Sequence, residues 1–191
     1  MNEDNNNIKN FEFTKKNLEQ VEKIFSKYPD DQKASAVMPL LDLAMRQIGG
    51  WITNSAISHV SSLLNLPFIR VYEVASFYSM FNLEPIGKNF VQICTTTSCW
   101  LRGSDDILEV CKKHLNIKNN QTTKDGLFTL KEVECLGACV NAPMVQINDN
   151  YYEDLDTKSF VNILDNLKEG RSIDIGPQNK KRKGAEPIGS A

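Results

Sequence analysis

Val91-Gln-Ile-Cys94-Thr-Thr-Thr-Ser-Cys99 and Val133-Glu-Cys135-Leu-Gly-Ala-Cys139-Val-Asn-Ala-Pro143 are the two ends of the stretch that decides how this chain folds. Each carries a close pair of cysteines, C-x4-C and then C-x3-C, with 35 residues between them. Two pairs on two loops, each spaced so that both sulfurs can point at one small object, is the arrangement a thiolate-bound metal centre requires. Disulfides would need an oxidising compartment, and Met1-Asn-Glu-Asp-Asn-Asn-Asn has neither the basic nor the apolar part of a secretory signal. Structural zinc is the stronger rival, but its knuckles usually read C-x2-C around one tetrahedral ion. The looser spacings favour a larger iron–sulfur core, whose bridging sulfides take hydrogen bonds that the N–H groups of Thr95, Thr96, Thr97, Gly137 and Ala138 are placed to give. The fifth cysteine, Cys111, lies among Ile107, Leu108, Val110 and Leu115 at helical spacing and reads as a small core residue.

Working outward from these loops, Asn89–Cys94 reads as a strand that delivers the first cysteine at its end. Ser104 reads as the cap of a helix over Ile107–Leu115, with Asp105 and Asp106 against its positive end. Leu127–Cys135 is a second strand ending on a cysteine. Pro143–Ile147 and Tyr151–Tyr152 form a hairpin across Asn148-Asp-Asn150, and Asp156-Thr157 caps a last helix bearing Phe160, Ile163, Leu164 and Leu167. The order β-α-β-β-β-α is that of a thioredoxin-like domain, here residues 88–170. Before it, residues 13–81 read as four helices: one from Phe13-Thr14 to Tyr28, one from Asp31 to Ile48 kinked at Pro39, one capped by Asn54 or Ser55, and one after Pro67. Residues 1–12 are expected to be a disordered lead-in and residues 171–191 an extended tail with the basic run Lys180–Lys183, whose ordinary reading is a solvated tail and whose alternative is a partner contact. His59 reads as an ordinary packed or surface histidine. The class is thus α+β, a helical bundle followed by a thioredoxin-like α/β domain.

With 22 Lys+Arg against 24 Asp+Glu, the chain offers no general attraction to nucleic acid, and no apolar run is long enough to insert in a membrane. No G-x-G-x-x-G dinucleotide fingerprint occurs.

Tyr72-Glu-Val-Ala-Ser-Phe-Tyr-Ser-Met-Phe81, Ile93–Cys99, Leu101-Arg-Gly-Ser104, Asp125-Gly-Leu-Phe-Thr129 and Val133–Asn148 together resemble the small ferredoxin subunit of the NADH-oxidising module of respiratory complex I. The resemblance spans about residues 13–178. It implies one [2Fe–2S] cluster held by Cys94, Cys99, Cys135 and Cys139, and an electron-carrying role with no catalysis by this chain alone. It implies as partners a larger flavoprotein subunit that holds FMN and NADH, and the other peripheral-arm iron–sulfur subunit. Its setting would be the cytoplasmic side of a bacterial inner membrane, reached only through the complex, or the mitochondrial matrix side. The same subunit type serves the diaphorase modules of NAD-linked hydrogenases and formate dehydrogenases, which stay open, as does a four-cysteine zinc module of a different class. Ser98 stands where many relatives have proline, and Trp100 where smaller apolar residues are familiar. In thioredoxin-like folds a cis proline commonly precedes the strand beside the sulfur site, so Ala142–Pro143 is expected to be cis.

Overall fold

The computed structural model describes residues 10–179. The chain divides into two units between Ile86 and Gly87.

The first unit is helical. α1 (Lys15–Phe25) is capped by the Thr14 hydroxyl, which accepts from the Asn17 N–H. A 3₁₀ turn, Asp30–Ala36, leads into α2 (Val37–Ile48), which Gly49 closes in the left-handed conformation. α3 (Asn54–Leu64) and α4 (Phe68–Phe77) follow. One face of each helix enters a common core: Val21, Leu40, Leu41, Ala44, Ala56, Ile57, Val60, Val71 and Ala75 are all buried. The single kinked helix expected from Asp31 to Ile48 is instead two elements. Pro39 has no N–H to give, and its ring would collide with the Ser35 carbonyl if the α-helix ran back through that residue. The α-helix therefore starts at Val37, with Pro39 in its first turn where no donor is missed. The cap of α3 is Thr53, whose hydroxyl accepts from the Ala56 N–H at 3.1 Å, rather than Asn54 or Ser55. Phe11 and Phe13 are buried, with their rings edge-on to each other and to His59. Phe11, expected in the lead-in, is thus packed, and Gln47 fastens the adjoining backbone: its side chain donates to the Glu12 carbonyl and accepts from the Thr14 N–H. Residues 1–9 and the basic run Lys180–Lys183 lie outside the described residues.

The second unit is built on a six-stranded sheet of order β2-β3-β1-β4-β5-β6. Its strands are β1 (Asn89–Cys94), β2 (Gln121–Thr122), β3 (Phe128–Val133), β4 (Val145–Ile147), β5 (Asn150–Glu153) and β6 (Gly176–Pro177). β1 and β3 run parallel, with Asn89 opposite Phe128 and Cys94 opposite Val133. β4 lies antiparallel on the other side of β1 and forms the hairpin with β5. Two strands went unread in the sequence: β2 and β6 are only two residues each, too short to carry alternation, and β6 joins the tail to the sheet edge. The connection from β1 to β3 holds two helices, α5 (Thr97–Leu101) and α6 (Ser104–Leu115). Ser104 is the buried first residue of α6 and Gly103, left-handed, takes the cap position expected of it. α7 (Thr157–Lys168) begins with a capping box in which Asp156 and Ser159 bond each other's backbone. Ile107, Leu108 and Cys111 of α6 meet Phe160, Ile163 and Leu164 of α7 over Val91, Ile93, Phe128 and Leu130 of the sheet.

Gly87 starts this unit under tight confinement. Its N–H donates to Thr129 Oγ1 at 2.6 Å, and an added Cβ would lie 2.9 Å from backbone atoms of Gly126 and Phe128. Gly87→Ala is therefore expected to destabilise the second unit by about 1–3 kcal/mol, since backbone cannot swing aside as a side chain can. Faster amide exchange in β1 and β3 would register this; unchanged exchange there would contradict it.

Candidate metal centre

Parallel pairing fixes where the cysteines go. Because β1 and β3 point the same way with Cys94 level with Val133, the chain beyond both strands emerges at one end of the sheet. Cys94 is the last residue of β1, and Cys135 stands two residues past Val133. The strand expected to run to Cys135 therefore stops two residues short of it, and the cysteine sits in the loop instead. After Cys94 the chain turns into α5, which carries Cys99, and after Cys135 it turns into a 3₁₀ segment, Cys139–Asn141. The peptide bond Ala142–Pro143 is cis, as expected.

Arg102 Nε ties the two loops by donating to the Ala142 carbonyl at 3.4 Å, and Tyr151 Oη, from β5, holds the second loop to the sheet by donating to the Leu136 carbonyl at 2.7 Å. The N–H of Asp154 donates to the Asn141 carbonyl and that of Leu155 to the Pro143 carbonyl, anchoring the second loop to the end of β5.

The sulfurs stand as two pairs of different exposure. Cys94 and Cys99 are buried and in hydrogen-bond contact with each other, walled by Ala138, Ala142 and Met144. Cys135 and Cys139 are exposed, with their Sγ atoms 3.5 Å apart. Across the pairs, Cys99 and Cys139 sense each other's charge, as do Cys94 and Cys139. Among the described residues no three His, Cys, Asp or Glu side chains converge on a position for a single ion.

The backbone supplies the polar lining. The N–H groups of Thr96 and Leu136 donate to Cys94, that of Met144 to Cys99, and that of Gly137 to Cys135 at 3.4 Å. Thr96 and Gly137 were among the donors read from the sequence; Leu136 and Met144 were not. Nothing in their residue types marks them, because their N–H groups face sulfur only once the second loop folds across the end of β1. Burial raises the Cys94 thiol, but bonds from the Thr96 hydroxyl and N–H, the Leu136 N–H and Cys99 outweigh it, and its pKa lies below the ordinary value. Burial pushes Cys99 up to about 12, with the negative charge of Cys94 and Cys139 adding to it and the Met144 N–H opposing. Cys139 is raised by its contact with Cys135.

Cys111 takes no part. It is fully buried in α6, as its neighbours in the sequence led one to expect.

A model of the thioredoxin-like [2Fe-2S] ferredoxin family matches residues 21–168. An NADH-quinone oxidoreductase subunit of Rickettsia bellii is 58% identical over 164 residues, covering 86% of this chain and 98% of that protein. NADH dehydrogenase [ubiquinone] flavoprotein 2, mitochondrial, of Dictyostelium discoideum is 54% identical over 187 residues, or 98% of this chain and 76% of that one. Among solved structures, an NAD+-reducing [NiFe]-hydrogenase in the air-oxidised state superposes with a TM-score of 0.60 at 20% identity over 68% of this chain. That likeness is one of fold, and this chain spans 23% of the hydrogenase chain.

The burial of Cys111 has a consequence at alkaline pH. Its thiol is pushed up to about 12 from 9.0, so the folded state holds it protonated while the unfolded chain can ionise it. Its contribution is complete below pH 9.0 and is lost as pH climbs toward 12, up to about 4 kcal/mol in all. Cys111→Ala is expected to flatten the loss of stability over that window in denaturant titrations. An equally steep loss in the variant would contradict the assignment.

Proposed function

This chain belongs to the thioredoxin-like [2Fe-2S] ferredoxins, and on that premise we propose that it is the electron-transfer subunit of an NADH-quinone oxidoreductase, respiratory complex I. The observation that carries the reading is the meeting of two cysteine pairs at the parallel end of β1 and β3, lined by backbone N–H donors. Cys94, Cys99, Cys135 and Cys139 are the ligands, a soft thiolate set that fits a [2Fe–2S] group. When bound, that group supplies a one-electron store and nothing else. The chain's own residues set the conditions: the N–H groups of Thr96, Leu136, Gly137 and Met144 favour the more negatively charged state of the sulfurs, and the buried Cys94 side keeps water away.

The chain does no hydride chemistry, which needs a flavin or similar two-electron acceptor. That acceptor, FMN, and the NADH belong to a flavoprotein partner, and a further iron–sulfur protein of the peripheral arm completes the surroundings. Two exposed apolar surfaces fit protein partners. Trp100, Leu101 and Val140 rim the cysteine loops, each within two residues of a ligand. On the helical unit, Phe68, Ile69, Tyr72 and Phe77 of α4 are exposed together with Tyr78 and Met80, while Arg70 and Glu73 of that helix pair with each other at 3.1 Å and leave the face neutral. No helix among the described residues is long and apolar enough to cross a membrane. The site of action is the cytoplasmic side of a bacterial inner membrane, or the matrix side in a mitochondrion, reached through the complex.

The test has two arms. Serine at Cys94, Cys99, Cys135 or Cys139 should each remove most of the bound iron, and Cys111→Ser should leave it; iron loss confined to Cys111→Ser would overturn the ligand set. NADH should not bleach the loaded chain alone but should do so rapidly once the FMN-holding partner is added, with Phe77→Glu requiring more of that partner for the same effect. Rapid bleaching of the lone chain by NADH would refute the division of labour.

A further inference from the structure

The two cysteine pairs differ in a way the ligand role does not require. Cys94 and Cys99 are each 1% exposed, whereas Cys135 and Cys139 are open to solvent with Sγ atoms 3.5 Å apart. A disulfide needs its sulfurs at about 2.05 Å, so closing this pair asks for a movement of roughly 1.5 Å. The loop that would make it contains Gly137, where even an added Cβ would meet no atom within 4 Å. We propose that in the chain not yet loaded with metal, Cys135 and Cys139 form a reversible disulfide that bars iron, so that loading depends on a reductant.

The chemistry is thiol–disulfide exchange with a small-molecule disulfide such as oxidised glutathione. A thiolate of the exposed pair attacks one glutathione sulfur; the glutathione S–S bond breaks, a mixed disulfide forms and one glutathione thiolate leaves. The second cysteine of the pair, 3.5 Å from the first, then attacks the protein-side sulfur of that mixed disulfide and expels the other glutathione. Two cysteine thiols have lost two electrons and two protons, and one disulfide has been reduced to two thiols. Selectivity comes from access. An incoming disulfide reaches Cys135 and Cys139 but not Cys94, Cys99 or Cys111, all buried. The product removes two of the four sulfurs proposed as ligands, and in this second half the inference rests on that ligand set.

The experiment uses the full chain freed of metal by a chelator under denaturing conditions, refolded in reductant, desalted and exposed to oxidised glutathione. Peptide mapping should find one disulfide, Cys135 to Cys139, and alkylation should still modify Cys94, Cys99 and Cys111 once the oxidised chain is unfolded. Anaerobic incubation with ferrous iron and sulfide, without thiols, should load the oxidised chain to less than a tenth of the level reached after dithiothreitol. Cys139→Ser should stop at a glutathione adduct on Cys135. A disulfide between Cys94 and Cys99, stable adducts on both exposed cysteines, or equal loading of oxidised and reduced chains would each overturn the proposal. Failure of the reduced chain to load would overturn the ligand set and the barring of iron with it, while the peptide map would still decide whether this pair closes.

Discussion

The parallel pairing of β1 with β3 is the constraint on which the site depends. A parallel ladder puts the ends of both strands on one side, and its register decides which residues emerge there together. Cys94 opposite Val133 means that the two cysteine loops leave the sheet side by side. A slip of one residue would turn every side chain of β1 to the other face, exposing Val91 and Ile93 and pulling Cys94 out of line. Burial of those two residues against Phe128, Leu130 and the helices above them is therefore what holds the register, and the core positions the site through it.

Around that end the structure divides its labour between a buried pair of sulfurs and an open pair. The buried pair has the denser set of N–H donors, from Thr96, Leu136 and Met144, and exposed apolar side chains adjoin both loops, Trp100 and Leu101 after Cys99 and Val140 after Cys139. On the proposed ligand set, charge arriving on the sulfurs would be stabilised from within and the outer face would be left for a partner. The proposed disulfide of the metal-free chain draws on the same openness of Cys135 and Cys139.

Much of this was legible in the sequence because it is local. Alternation in Asn89–Cys94, the helical spacing of Ile107, Leu108 and Cys111, and the Asp156 cap each follow from neighbours in the chain, and each lies where it was read. The placement of the cysteines at or just past strand ends was legible for the same reason. What escaped was set by contacts distant in sequence. The N–H groups of Leu136 and Met144 turn to sulfur through tertiary placement, α5 is a single short turn with Cys99 inside it, and Phe11 packs against a histidine 48 positions away as well as against Phe13. Pro39 was legible as an obstacle to a helix, but whether the chain bends or starts afresh depends on the 3₁₀ turn before it.

Cys94, Cys99, Cys135 and Cys139 are proposed to hold an iron–sulfur core of two metals and not a single structural ion. The most direct measurement is the metal and acid-labile sulfide content of the full chain purified without air. About two irons and two sulfides per chain are expected. One zinc per chain with no labile sulfide would contradict it.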